Sequence, residues 1–250
     1  MPKRFIADNG ATTRLVMDVA QRMKLPGIAL LLDQEKAYLL DQEKAYDRVH
    51  SQYLQACLDK YGFPQSLIVS IISLFFGTSL CINVNGFLTA PISQDRGLRQ
   101  GDPLSPLLFN LAIEPLLRSI WSSPLISGFT FLRPQWPNFT SLPRSSPPLK
   151  ALAYADDVLV FLTRPTELQT LLHLVSLYGK ASNARLNRGK TMAVSLSGED
   201  HHDWRQTLIA NGITQWHDKR ASSATIYLGY PLTSSAQQLS SYLDSFIVAA

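Results

Sequence analysis

The sequence predicts an α+β fold, on three observations. Short apolar runs, IALLL at 28–32 and the pair that flanks Asp156 and Asp157, read as buried strands. Other segments repeat apolar residues at helical intervals, and the two kinds of segment interleave without the strict alternation of a parallel βαβ chain. With 250 residues, 46% of them apolar, the chain can bury a core and fold as one large or two smaller globular units. A formal net charge of +4 suits a polyanionic partner without requiring one. Cys57 and Cys81 lie in apolar surroundings with no His or Cys at metal-ligand spacing, so both read as buried thiols of a reducing compartment. The N-terminal MPKRFIADNG has no apolar signal core, and the longest apolar run, Ser66 to Phe76, falls short of the ~20 residues that span a membrane. An intracellular protein, nuclear or cytoplasmic and not secreted, is expected, and the Asn138 sequon is expected to be idle.

The elements follow from the punctuation. Thr13 to Met23 has helical spacing, which Lys24-Leu25-Pro26-Gly27 stops ahead of the strand IALLL. A helix from Asp47 is closed by Gly62, and Ser66 to Phe76 gives a second. Thr78 to Ile92 alternates and is broken by Asn85-Gly86, a strong hairpin signal. A Gly- and Pro-rich loop, RGLRQGDPLSP, runs into a helix that Ser105 is expected to cap, with Pro106 at its first position. Trp121 to Lys150, rich in Pro and Ser, reads as a long surface excursion. Lys150 to Leu162 reads as two strands with two acids at the join, and Thr166 to Ala181 as a helix. A small mixed region containing YLGYPL follows.

The chemistry begins at those acids. Asp156 and Asp157 stand side by side between apolar strands, where an unpaired buried carboxylate would cost several kcal/mol. At a hairpin tip they are exposed enough to hold a divalent cation, and hard oxygen ligands suit Mg²⁺. A bare Asp-Asp is more often a solvated turn, but the flanking strands favour the ligand reading. A second acid, Asp33, follows IALLL, and Tyr38 stands five residues further on. Three acids from two strand ends suit a two-metal site. Arg96 to Pro103 offers glycines for close backbone approach, Arg99 for phosphate, and the Gln100 amide for a sugar or base edge.

Taken in order, LLDQEKAYDRV, GLRQGDPLSPLLFNLAIEPLL, AYADDVLVF, SNARLNRGKT and YLGYPL resemble palm motifs A to E of the reverse transcriptases of non-LTR (long interspersed) retrotransposons. The resemblance runs from Asn9 to about Leu232. It implies an RNA-directed DNA polymerase, a nucleotidyltransferase acting on an RNA template, a DNA primer and deoxynucleoside triphosphates, with no membrane partner. It implies a palm, an antiparallel sheet packed on helices, with partial fingers in 1–232 and the start of a truncated thumb in 233–250. Two Mg²⁺ ions are implied, held by Asp33 (alternatively Asp41), Asp156 and Asp157. Tyr38 (alternatively Tyr46) becomes a steric gate against a ribose 2′-hydroxyl, and Gln100 and Gly101 contact nucleotide or template. Lys190 becomes an acid for the leaving pyrophosphate, and Leu228 and Gly229 the primer grip.

The sequence departs from this pattern. LLDQEKAYLLDQEKAY, Leu31 to Tyr46, states one octet twice, so motif A is duplicated. If Asp41 is the ligand, EKAYLLD becomes the strand, Lys36 replaces Ile28 in the sheet, and several aliphatic side chains are expelled at roughly 1.5–3 kcal/mol each. If Asp33 is the ligand, the strand stays intact and the extra octet falls where insertions are best tolerated. Against this, Asp47-Arg48-Val49 follows only the second copy. The strand argument favours Asp33. Fingertip segments, a complete thumb and an endonuclease are not recognised, so a fragment of a larger polyprotein or a decayed copy is expected, with little primer extension on its own. The alternative is a catalytically inactive remnant that keeps the fold and some RNA binding.

Overall fold

The computed structural model of the chain describes residues 6–32, 46–99, 101–131 and 147–248. In chain order the elements are α1 (Ile6–Met23), β1 (Ile28–Leu32), a 3₁₀ turn (Tyr46–Arg48), α2 (Ser51–Lys60), α3 (Gln65–Phe75), β2 (Thr78–Leu80), β3 (Asn83–Val84), β4 (Phe87–Leu88), β5 (Ile92–Gln94) and α4 (Ser105–Ser122). There follow β6 (Ala151–Tyr154), β7 (Asp157–Leu162), α5 (Glu167–Ser182), β8 (Met192–Ser195), α6 (His202–Ala210), β9 (Gln215–His217), β10 (Thr225–Tyr227), β11 (Tyr230–Leu232) and α7 (Ala236–Val248). The mixed content agrees with the α+β expectation. Two compact units result, one from residues 1–33, 120–172 and 187–250, the other from 34–119 and 173–186.

The first unit is built on a five-stranded sheet of order β6-β7-β1-β8-β9. Its pairs are antiparallel, except that β8 and β9 run parallel, a departure from the all-antiparallel sheet expected. The run IALLL lies between two neighbours, Ile28 opposite Leu162 on one side and Ser195 on the other, so an unbroken aliphatic sequence is what the position demands. Val158 to Leu162 of β7 are all buried for the same reason. Against one face packs α1, whose Val16, Met17 and Ala20 join Ala29, Leu159, Phe161, Val194, Tyr227 and Leu232 in one core.

Helix α1 starts earlier than its apolar spacing predicts, because its first turns are held by long-range contacts. Gly10 is buried against the ring of Tyr230, and Asn9 Nδ2 donates to the carbonyl of Ala153 at 3.2 Å. The Pro- and Ser-rich excursion is also anchored: Phe129, 2% exposed, lies in the core and bridges to Leu149. Trp204 of α6 donates to the carbonyl of Pro26 at 2.7 Å, and Gln238 of α7 donates to the carbonyls of Asp218 and Ala221.

Glu167 opens α5 from a buried position. Its carboxylate accepts from Thr163 N at 3.0 Å, from the Thr163 hydroxyl at 3.1 Å and from Arg164 Nε at 3.1 Å. Burial would raise its pKa, but these donors and Ser127 outweigh it and hold the carboxyl below its ordinary value.

The second unit contains α2, α3, the first part of α4 and a ribbon of short strands. Asn85 (φ 51°) and Gly86 (φ 90°) make the expected two-residue turn between β3 and β4. The ribbon's alternation does not bury one face: Ile82, Val84, Phe87 and Leu88 are all exposed. Cys57 is buried as expected. Cys81 is exposed, a correction to the sequence reading, because it sits in this ribbon and not in a core. The cap of α4 also differs from expectation: Leu104 N donates to Asp102 Oδ1 at 2.8 Å, while the Ser105 hydroxyl has no partner among the described residues.

Two outcomes are expected. Gly10→Ala gains helix propensity of roughly 1 kcal/mol, but its methyl group would overlap the Tyr230 ring, so a net loss of about 1–2 kcal/mol is expected in chemical denaturation. For Glu167, a depressed folded-state pKa means a contribution that is complete above the unfolded value and lost as pH falls through the folded one. Glu167→Gln should therefore be less stable than wild type at pH 7 and show a shallower decline below about pH 5.

Candidate active site

The first unit presents its acids at a tight turn. Strands β6 and β7 pair Tyr154 with Asp157, leaving Ala155 and Asp156 as a two-residue connection. Ala155 has φ 51°, a left-handed conformation that costs a non-glycine residue free energy, so the surrounding ladder must hold the turn. Asp157 is exposed and Asp156 half-buried. Strand pleating puts Asp157 on the same face of β7 as Leu159 and Phe161, which is the face covered by α1.

The end of β1 meets this turn, since Leu32 pairs with Val158, the residue after Asp157. Asp33 follows Leu32 in sequence but lies outside the described residues, as do Tyr38, Asp41 and Gln100. Among the described residues no three His, Cys, Asp or Glu side chains gather at one point. The two described acids are hard oxygen donors in a solvent-open turn, a set that fits a divalent cation and needs a further ligand.

Two more expected residues belong to the first unit. Lys190 is exposed in the turn before β8, where its N–H donates to the Asn187 carbonyl at 3.2 Å. Because Met192 pairs with Leu31, this turn sits at the same end of the sheet as the acids. Leu228 (φ 51°) and Gly229 (φ 80°) form a two-residue turn between β10 and β11, with Tyr227 paired to Tyr230. A Cβ on Gly229 would meet nothing within 4 Å, so backbone conformation and not space accounts for the glycine there.

In the second unit, Tyr46 stacks on Phe109 of α4 with ring centroids 4.5 Å apart, and its carbonyl accepts from Leu98 N at 2.8 Å. Arg99 is tied into the ribbon, Nε donating to Gln94 Oε1 at 3.1 Å and a terminal nitrogen to the Thr78 hydroxyl at 2.7 Å. Gly101 has φ 84° and open space around its Cα, so the loop needs its left-handed turn. Beside this loop an open cleft of about 560 Å³ is lined by His50, Leu80, Ser93, Gln94, Asp95 and Arg96.

Sequence reading passed over Tyr227. It is 3% exposed, and its hydroxyl meets no hydrogen-bond partner among the described residues. Burial chiefly, and the charge of Asp157 next, push its pKa up, while the Asn9 amide beside it opposes them. The available signal was its position in YLGYPL, but only the fold brings that segment near Asp157.

The family model for reverse transcriptase (RNA-dependent DNA polymerase) matches residues 15–232. The chain is 31% identical over 238 residues to the transposon TX1 uncharacterized 149 kDa protein of Xenopus laevis, an alignment that covers 93% of this chain and 16% of that protein. It is 28% identical over 199 residues to the retrovirus-related Pol polyprotein from type-2 retrotransposable element R2DM of Drosophila melanogaster, covering 80% and 17%. A Pol polyprotein from type-1 retrotransposable element R2 of Popillia japonica is 30% identical over 167 residues, covering 66% and 20%. The chain thus spans 16% to 20% of the length of these relatives. Its family match begins inside α1 and closes with β11, taking in the acid turn, the glycine loop and the YLGYPL hairpin, and the chain belongs to the reverse transcriptase (RNA-dependent DNA polymerase) family of non-LTR retrotransposons.

Proposed function

We propose that this chain carries the palm of an RNA-directed DNA polymerase that extends a DNA primer on an RNA template. The observation that carries the reading is the turn holding Asp156 and Asp157 at the end of β7, against the last residue of β1. On this reading 1–232 form partial fingers and palm, and 233–250, with α7, begin a thumb.

Asp33 is the proposed third carboxylate, with Asp41 the alternative. Its support is that IALLL, the strand leading into Asp33, fills the buried central position of the sheet. Two Mg²⁺ ions, held by Asp33, Asp156 and Asp157, would neutralise triphosphate charge and acidify the primer 3′-hydroxyl when bound. The hairpin fixes the backbone of both motif C acids in advance of substrate, and such positioning is where much of the catalytic advantage of a phosphoryl-transfer site resides. Lys190 Nζ is proposed to give a proton to the departing pyrophosphate.

For the sugar gate, the stacking of Tyr46 on Phe109 and its hydrogen bond with Leu98 support the second copy, with Tyr38 the alternative. Gly101 leaves room for a sugar or base edge, and the Gln100 amide reads it. Arg99, already oriented by Gln94 and Thr78, faces phosphate with its remaining donors. Leu228 and Gly229 grip the primer through a turn with no Cβ at its second position.

Two sets of variants test this, with the chain joined to flanking segments of a related element and supplied with RNA template, DNA primer, deoxynucleoside triphosphates and Mg²⁺. Asp156→Asn and Asp157→Asn should each slow extension by about 100-fold or more while leaving the thermal midpoint near wild type. Undiminished extension by either would overturn the assignment, and a protein that binds RNA but never extends would favour the inactive remnant.

The second set addresses the repeat. Asp33→Ala should abolish extension and Asp41→Ala should not, whereas Tyr46→Ala, and not Tyr38→Ala, should admit ribonucleotides. Deleting residues 39–46 restores a single octet and should leave activity equal or higher. A dead Asp41→Ala beside a live Asp33→Ala would reverse the choice of acid.

A further inference from the structure

The core of the first unit contains a polar group that its packing does not explain. Tyr227 is buried among Val16, Met17, Leu159 and Phe161, yet its O–H finds no acceptor among the described residues, the Asn9 amide beside it being a donor. An orphaned buried hydroxyl is costly, and phenylalanine would fill the same volume without that cost. A use for the hydroxyl is therefore to be sought close by.

Two observations point to Asp157. Pleating sets Asp157 on the same face of β7 as Leu159 and Phe161, which share one core with Tyr227, so the acid continues a row of side chains that enters that core. Asn9, whose amide lies beside the phenol, donates to the carbonyl of Ala153, and Ala153 pairs with Val158, one residue beyond Asp157. Helix α1, the acid hairpin and the β10–β11 hairpin thus converge on one spot, with Gly10 letting Tyr230 close against the helix.

We propose that Tyr227 is a positioning residue for Asp157: its O–H donates to one carboxylate oxygen and leaves the other directed at a divalent cation, while Asn9 fixes the hairpin strand beneath. This rests on the reading of Asp156 and Asp157 as cation ligands. When the carboxylate turns to hold a cation, the hydroxyl gains an acceptor. Partners of metal ligands commonly account for a 10- to 100-fold difference in affinity, roughly.

The test uses the purified chain and Mn²⁺, followed by the loss of the free-ion electron paramagnetic resonance signal, with thermal unfolding measured on each variant. Tyr227→Phe should weaken Mn²⁺ binding about tenfold with the unfolding midpoint unchanged or raised. Tyr154→Phe, which changes an exposed tyrosine on the same hairpin, should bind as wild type does. Wild-type affinity in Tyr227→Phe overturns the proposal, as does a loss of affinity accompanied by a fall in the midpoint, which would mark the hydroxyl as a packing element. Failure of the underlying reading is read separately: Asp156→Asn with undiminished Mn²⁺ affinity, or a wild-type chain with none, removes the hairpin as a cation site.

Discussion

Strand β1 is the constraint on which the first unit rests. It holds β7 on one side and β8 on the other, segments that lie more than a hundred residues away in sequence, and its aliphatic side chains are almost wholly withdrawn from water. Full burial of such a side chain is worth roughly 1.5–3 kcal/mol, and a slip of one residue would send each to the opposite face. Register is therefore fixed sharply. Because Leu32 is locked opposite Val158, beside the acid turn, the duplicated octet cannot be absorbed by sliding the strand.

The consequence is an uneven inheritance from the two copies. The strand that runs into the first octet occupies the sheet, while Tyr46, which closes the second, and Arg48 just beyond it contact their surroundings in the other unit through Phe109, Leu98 and the Asn183 carbonyl. The extra octet lengthens the chain between these flanks, and added length between fixed ends is a weak lever on stability because closure entropy grows only logarithmically.

What could be read from the sequence was what local pattern controls. IALLL, the paired strands around Asp156 and Asp157, the Asn85-Gly86 turn and the helices from 51 to 75 are short-range signals, and they appear where periodicity and turn chemistry indicate. Features set by distant neighbours were not legible. The first turns of α1 depend on Tyr230 and Ala153, the burial of Phe129 depends on the sheet, and the exposure of Cys81 depends on a ribbon whose apolar alternation meets no second layer. At the candidate site the same division holds: Asp156 and Asp157 announce themselves by their flanks, whereas Tyr227 looks like any strand aromatic until three hairpin and helix ends are brought together. Asp102 was hidden for a different reason, since Ser105 offers an equally good cap by sequence and the choice is made by loop geometry.

The ribbon from β2 to β5 has a colloidal meaning as well. Two short strand pairs carry Leu80, Ile82, Val84, Phe87, Leu88 and Ile92 in contact with water, with no lysine among them to blunt the strand edges. At high protein concentration such a surface recruits like surfaces edge to edge, and salting-out anions strengthen the attraction because they favour any burial of apolar area. A charge introduced at Phe87, the most exposed of these side chains at 80%, would weaken that attraction without touching the sheet.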